Sequence, residues 1–169
     1  MKAPAEDQSG ARRPAILIAG PTGSGKTPLG EYLEAHGLGG RKCFHFDFGE
    51  NLRGVASGAI AIPTLAPADM ELIWRVLGSG ALLENESFHV AAKILADFVR
   101  RRGAAPEDWL VMNGLPRHAS QARDVDGVVD IRRVVHLECS PEEVVRRIRL
   151  NSGGDREGRV DDEPDAVRK

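Results

Sequence analysis

Cysteine is scarce in this 169-residue chain, with only Cys43 and Cys139. Each sits inside an apolar run, "CFHF" and "VVHLEC", so both read as buried free thiols in a reducing compartment rather than as a disulfide framework. Long apolar runs are missing as well. None approaches the roughly 18 residues of a membrane span, and the opening "MKAPAEDQSGARRP" lacks the hydrophobic centre of a signal peptide. The expected location is cytoplasmic. Residues 1–13, rich in Pro, Gly, Ala and charge, are expected to form a loose tail. Nor does one sign of charge dominate: 23 Lys and Arg face 25 Asp and Glu, for a formal net charge of −2. That balance gives no global attraction for nucleic acid or membrane, so neither is expected as a partner and any anion site must be local. His36, His45, His89, His118 and His136 show no metal-ligand spacing, and His45 and His136 fall on expected buried or half-buried strands. Internal repeats and low-complexity tracts are absent.

What is present is the material of one globular domain. The length suffices for a real core, and 41% hydrophobic with 28% charged residues is ordinary. Short apolar runs alternate with helical patterns. "AILIA" (15–19), "CFHF" (43–46), "WLVM" (109–112) and "RVVHLE" (133–138) read as strands, the first with the continuous pattern of a strand covered on both faces. A helix is expected from about Gly25 to Ala35, ending in the Gly-rich "HGLGG". After the fourth strand, "SPEE" starts another helix, with Ser140 as N-cap, Pro141 in the first turn and Glu143 completing a capping box. Glu142–Arg146 and Glu143–Arg147 are expected i,i+4 pairs along it. Between the second and third strands, Met70, Ile73, Trp74 and Leu77 follow helical spacing. So do Phe88, Ala91, Ala92, Leu95, Phe98 and Val99, closed by "RRRG" with Gly103 as the stop. The basic run at 100–102 reads as a helix C-terminus favoured by the dipole. The expected fold is three-layer α/β/α around a parallel sheet, with a helical insertion.

One motif carries chemistry. "GPTGSGKT" (20–27) matches G-x-x-x-x-G-K-[ST] in full, with an apolar strand before it and a helix after it. Gly20, Gly23 and Gly25 let the backbone curl, so that amide N–H groups, including that of Ser24, point at phosphate oxygens. The helix N-terminus adds positive potential. Lys26 supplies an ammonium for the β- and γ-phosphates of ATP and Thr27 a hydroxyl for Mg²⁺. Pro28, without an N–H, is tolerated this early in a helix. No guanine-reading "NKxD" tetrad accompanies the loop, which argues against a GTPase.

Three further stretches carry a resemblance. "GENLRG" (49–54), "NGLPRHASQA" (113–122) and "GRVDDEPDAVRK" (158–169) are similar to the G-D-x-L-R, D-G-[FY]-P-R-x-x-x-Q-A and G-R-x-D-D-x-x-x-x-[VI]-x-K segments of adenylate kinases and related nucleoside monophosphate kinases. "GALLENES" (80–87) sits where that family has G-x-L-V-P-x-E. The order and spacing hold from Ala15 to Lys169. The resemblance implies a P-loop nucleotide-binding core at 14–48 and 104–149, an acceptor-binding helical insertion at 49–103, a short lid at 150–160 and the start of a C-terminal helix at 161–169. It has no cysteine cluster to hold zinc in the lid. It also implies an ATP- and Mg²⁺-dependent transfer to a nucleoside monophosphate or another small phosphate acceptor.

On that resemblance Arg53 holds the acceptor phosphate, Arg117 reaches the transferring phosphate and Gln121 reads the acceptor's base edge; surface positions are the bland alternative for each. Arg159 is a lid arginine, and Asp161 and Asp162 shape the lid hinge. Arg147 either contacts phosphate or serves its pair with Glu143. The departures are equally specific. Phe48 replaces a Thr that touches adenine, Glu84 replaces a Pro, and Asn151 stands where a further lid arginine belongs, with Arg149 or Arg156 as substitutes. Asn113 replaces the carboxylate on the metal side and is expected to meet Mg²⁺ through water. Lys169 precedes the family's next arginine, final strand and final helix, so the chain is either truncated or short of part of the fold. Two other readings stay open: a small-metabolite kinase in which Asp47 positions a hydroxyl, as in shikimate kinase, and a catalytically impaired ATP-binding regulatory protein.

Overall fold

The computed structural model describes residues 12–79 and 87–150. Strands β1 (Arg13–Ala19), β2 (Cys43–Asp47), β3 (Trp109–Asn113) and β4 (Val129–His136) form one sheet in the order β2-β3-β1-β4. Every neighbouring pair is parallel, so each connection must cross a face of the sheet and the strands all end along one edge. The crossings are helical: α1 (Lys26–His36) follows β1, and α2 (Phe48–Ala56), α3 (Pro67–Ser79) and α4 (Phe88–Arg102) lie between β2 and β3. Helix α5 (Ala119–Asp126) precedes β4, and α6 (Pro141–Leu150) follows it. This is an α/β fold of the P-loop type.

Side-chain alternation divides the interior in two. Ala15, Phe46, Leu110 and Met112 face a large core with Leu52, Ile73, Ile94, Leu95 and Phe98 from the insertion helices. Ile16, Ile18, Cys43 and Val111 point the other way, against Leu29 and Leu33 of α1. Both faces of the central strands are therefore covered, which is why β1 and β3 read as unbroken apolar runs. Helix α1 packs so closely that a Cβ placed on Gly30 would stand 2.2 Å from the His45 ring. That glycine is required by space, not by its backbone angles.

Several expectations are corrected. β4 begins at Val129, four residues ahead of the apolar run "RVVHLE", because an edge strand tolerates the exposed Arg132 and Arg133 that a central strand would reject. β1 begins at Arg13, inside the expected tail, and pairs there with Val129. Helix α2, inside the expected helical insertion, and helix α5, around Gln121, were not placed as separate elements. Trp74 is 55% exposed, with its indole N–H donating to the Ala56 carbonyl, so it covers the α2–α3 junction instead of joining the core. Cys139 is only half-buried and His136 is exposed, both beyond the covered part of β4, while Cys43 is buried and its thiol pushed up by burial. Arg146 turns to Glu143 rather than to Glu142.

Buried carboxylates fasten the insertion. Asp69, near the start of α3, accepts from His89 Nε2 and Lys93 Nζ of α4, each at 2.8 Å, and from the Ala66 N–H at 2.9 Å. Lys93 above all, then the Ala66 amide and His89, hold its carboxyl well below the usual range. In α4, burial works against the charge of Asp97, but Arg101 and Arg100 outweigh it and keep the carboxyl low. Arg101 also donates to Asn51 Oδ1, while Arg102 pairs with Glu34 and lies over the Phe44 and Phe98 rings. The basic helix end is thus an anchor as well as a dipole partner. Glu34 in turn accepts the His45 N–H, covering an amide on the edge strand.

Two stability predictions follow from these contacts. Gly30→Ala overpacks the α1–β2 contact and should cost about 2 kcal/mol. Adding His45→Ala to that variant should recover part of the loss, so urea unfolding of the four-member cycle should show clear coupling. Asp69→Asn should cost about 2 kcal/mol near neutral pH by breaking a buried charged cluster. Because the folded carboxyl titrates below the unfolded one, this contribution is complete above the unfolded pKa of about 4 and fades as pH falls below it. The difference in thermal midpoint between the two proteins should therefore narrow from about pH 5 to pH 3.

Candidate active site

The parallel sheet delivers three strand ends to one place. β1 ends at Ala19 and the chain turns through Gly20, Gly23 and Gly25, with φ of 144°, 73° and 102°. Such values suit glycine and curl the loop before α1 begins at Lys26. At Gly20 space is also closed, since a Cβ would stand 2.5 Å from the Leu137 carbonyl. Lys26 Nζ donates to the carbonyls of Gly20 (2.9 Å) and Pro21 (2.7 Å), so the ammonium lies back across its own loop. Ser24 is buried, its hydroxyl without a hydrogen-bond partner among the described residues and its carbonyl accepting from Arg147 Nη1 at 3.3 Å.

Thr27, Asp47 and Asn113 meet beside the loop. Asp47 ends β2 and Asn113 ends β3, and the two are register partners. Asn113 is 4% exposed and its amide donates to Asp47 Oδ2 at 2.8 Å and to Thr27 Oγ1 at 3.2 Å. The Thr27 hydroxyl donates to the same Asp47 oxygen at 3.2 Å. The other oxygen, Oδ1, accepts the Glu50 N–H at 2.9 Å and caps α2. The hydroxyl and carboxylate offer hard oxygen donors of the kind Mg²⁺ takes from a protein alongside phosphate and water. Among the described residues, no group of three or more His, Cys, Asp and Glu is placed to hold a metal alone.

These groups line one cavity of about 1170 Å³, above the roughly 300–1,000 Å³ of a single-ligand pocket. Lys26, Thr27, Asp47 and Asn113 form one part of its wall; Arg53 of α2, Arg117 after β3 and Arg147 of α6 face it from elsewhere. Arg147 forms the expected pair with Glu143 at 2.7 Å and also donates to the Ser24 carbonyl of the loop. Hydrogen bonds from Arg146 and then Arg147 hold the Glu143 carboxyl at about 2. The Ser140 hydroxyl accepts the Glu143 N–H, so the expected cap at the start of α6 is formed.

Two expected residues are not brought to the wall. Ser24, within the loop, is buried and does not line the cavity. Gln121 is 1% exposed, and its Oε1 accepts the Arg117 N–H at 2.8 Å. It supports the turn carrying Arg117 rather than facing a base, because α5 directs this side chain inward. The same turn contains Gly114, with φ of 80°, and a cis Leu115–Pro116 bond. Phe48, set where an adenine contact was expected, is buried in the large core. Glu84, Asn151, Arg156, Arg159, Asp161 and Asp162, with nearly all of the expected lid, lie outside the described residues. Arg149 is exposed at the end of α6. Asp47 acquires a second role, as the cap of α2, that sequence reading missed; its signal was Asp47 followed three residues later by Glu50, a capping pattern at a strand end.

A family model described as an AAA domain matches residues 16–167. No curated protein matches the chain. Among solved structures, a chain in the structure of the Pnkp1/Rnl/Hen1 RNA repair complex aligns with 98% of this chain at 14% identity and a TM-score of 0.54. This chain spans 45% of that one's length. The structure of TT1252 from Thermus thermophilus aligns over 86% of this chain and 76% of its own, at 19% identity and a TM-score of 0.42. At such identity the likeness to the RNA repair chain is one of fold.

Gln121→Met should lower stability by about 1–2 kcal/mol, since it leaves the Arg117 N–H without its acceptor. ATP affinity should change less than about twofold, because Gln121 does not line the cavity; thermal unfolding with nucleotide titration checks both.

Proposed function

This chain belongs to the AAA domain family, a P-loop NTPase and kinase-like family, and from that membership we propose that it is an ATP- and Mg²⁺-dependent phosphotransferase acting on a nucleoside monophosphate. The observation that carries the reading is the single cavity where Lys26 and Thr27 of the phosphate loop face Arg53, Arg117 and Arg147. A water-cleaving site needs no cationic wall for a second anion. A transferase with an anionic acceptor does, because two phosphate groups repel each other and must be brought together.

In this reading the donor's phosphates lie on the loop amides and the α1 N-terminus, with Lys26 leaving its loop carbonyls for the β- and γ-oxygens. Thr27, with Asp47 and Asn113 beside it, would hold Mg²⁺. When bound there, the ion would supply charge neutralisation for the donor's phosphates. Arg53 and Arg117 hold the acceptor's phosphate in line. One of its oxygens attacks the γ-phosphorus, the bond from phosphorus to the β–γ bridging oxygen breaks, and ADP departs with that electron pair. Arg147, fixed between Glu143 and the Ser24 carbonyl, faces the transferring group from α6. The resemblance adds Arg159 as a closing lid residue and assigns the acceptor to 49–103.

A second reading rests on Asp47, which lines the same cavity: a hydroxyl acceptor held by that carboxylate. An RNA oligonucleotide also belongs among the acceptors tested, since the fold is shared with a chain of an RNA repair complex.

The full chain should transfer phosphate from Mg-ATP to at least one nucleoside monophosphate in a coupled assay, and Lys26→Ala should abolish turnover. Arg53→Ala should raise the acceptor KM about 10- to 100-fold while changing ATP affinity little, the loss expected of a charged hydrogen bond. Turnover only on small alcohols or a 5′-hydroxyl oligonucleotide would replace the acceptor. ATP binding without transfer to any of them would leave a nucleotide-binding regulatory protein.

A further inference from the structure

The phosphate loop's threonine would ordinarily look across to a carboxylate at the end of the neighbouring strand β3, and here that strand ends in Asn113. We propose that Asp47 supplies this carboxylate from one strand further away, so that the metal side of the loop is complete without an acid on β3. The inference rests on the loop's binding a magnesium nucleotide, as argued above.

Three observations carry it. The first is register. Asp47 and Asn113 are paired residues at the ends of adjacent parallel strands, so their side chains leave the sheet side by side. Asp47 Oδ2 stands 3.2 Å from the Thr27 hydroxyl, within direct reach of the loop. The second is orientation. Oδ1 is fixed by the Glu50 N–H at 2.9 Å, so the carboxylate cannot rotate freely and Oδ2 stays turned to the loop. The third is the identity of Asn113 itself. Its amide donates to Asp47 Oδ2 at 2.8 Å from a buried position. An acid at 113 would replace this donated hydrogen bond with a second negative charge set against Asp47. Given an aspartate on β2, the neutral amide is what this arrangement requires. The pair holds one carboxyl group, as a single strand-end aspartate would.

The test measures metal binding in the absence of acceptor. Mn²⁺ is titrated into the full chain with saturating ADP, and free Mn²⁺ is followed by electron paramagnetic resonance. Asp47→Asn keeps a good helix cap, because asparagine caps as well as aspartate. It should weaken Mn²⁺ at least 10-fold while metal-free ADP affinity falls by less than about threefold. Exchanging the two residues, Asp47→Asn with Asn113→Asp, should restore Mn²⁺ affinity to within about threefold of the parent. Asn113→Asp alone should not tighten Mn²⁺ more than about twofold, since Asp47 already supplies the carboxylate. Unchanged Mn²⁺ affinity in Asp47→Asn overturns the inference and leaves Asp47 to an acceptor hydroxyl or to capping alone. So does an exchange variant that binds no better than Asp47→Asn and melts like the parent. A parent chain that binds no Mn²⁺ with ADP overturns the nucleotide reading itself, a different failure from the other two.

Discussion

The parallel register of β2, β3 and β1 is the constraint on which the rest of the structure depends. A parallel ladder puts the carboxyl ends of all its strands along one edge, where crossover connections open a crevice. Gly20, Asp47 and Asn113 are neighbours because Ile18 pairs with Asn113 and Asn113 pairs with Asp47. A slip of one residue in either ladder would turn Asp47 or Asn113 to the opposite face. Dense packing on both faces holds the ladders in place: Phe46, Leu110 and Met112 are locked among the insertion helices, Ile16, Ile18 and Val111 against α1.

Charge is partitioned by the same scaffold. Arg100 and Arg101 are committed to Asp97 and Asn51 within the insertion, and Arg102 to Glu34 of α1 and the Phe44 ring of β2, so that it joins the insertion to the core. Arg53 and Arg117 are exposed at the cavity. Arg147 belongs to both groups, because Glu143 orients it without burying it and the Ser24 carbonyl draws it against the loop. A cationic wall on a chain with net charge of −2 follows from this division of labour, not from overall composition.

The elements legible in the sequence were those whose local pattern and tertiary role agree. The loop's glycines and the apolar runs of β1 and β3 fall in this class, as does the Ser140 cap. What stayed hidden depended on contacts between distant segments. Helix α2 has glycines at 49 and 54 and little helical propensity, and it forms because Asp47 caps it and Phe48, Leu52 and Val55 have a core to enter. β4 carries charged residues because, among the described residues, one side of it faces no neighbouring strand. Gln121 was legible as a motif position, but its burial was not, since only the fold decides which way α5 turns. Asn113 is the clearest case: alone in the sequence it looks like a loss, and beside Asp47 it is one half of a hydrogen-bonded pair.

Asp47 has one oxygen in the α2 cap and the other at Thr27, and α2 carries Arg53. A rigid carboxylate cannot shift toward one of these partners without moving relative to the other. In the proposed reading, donor loop and acceptor arm would therefore be geared through a single side chain. Whatever free energy filling one site exerts on that gear must be returned, with the same magnitude, when the other is filled first.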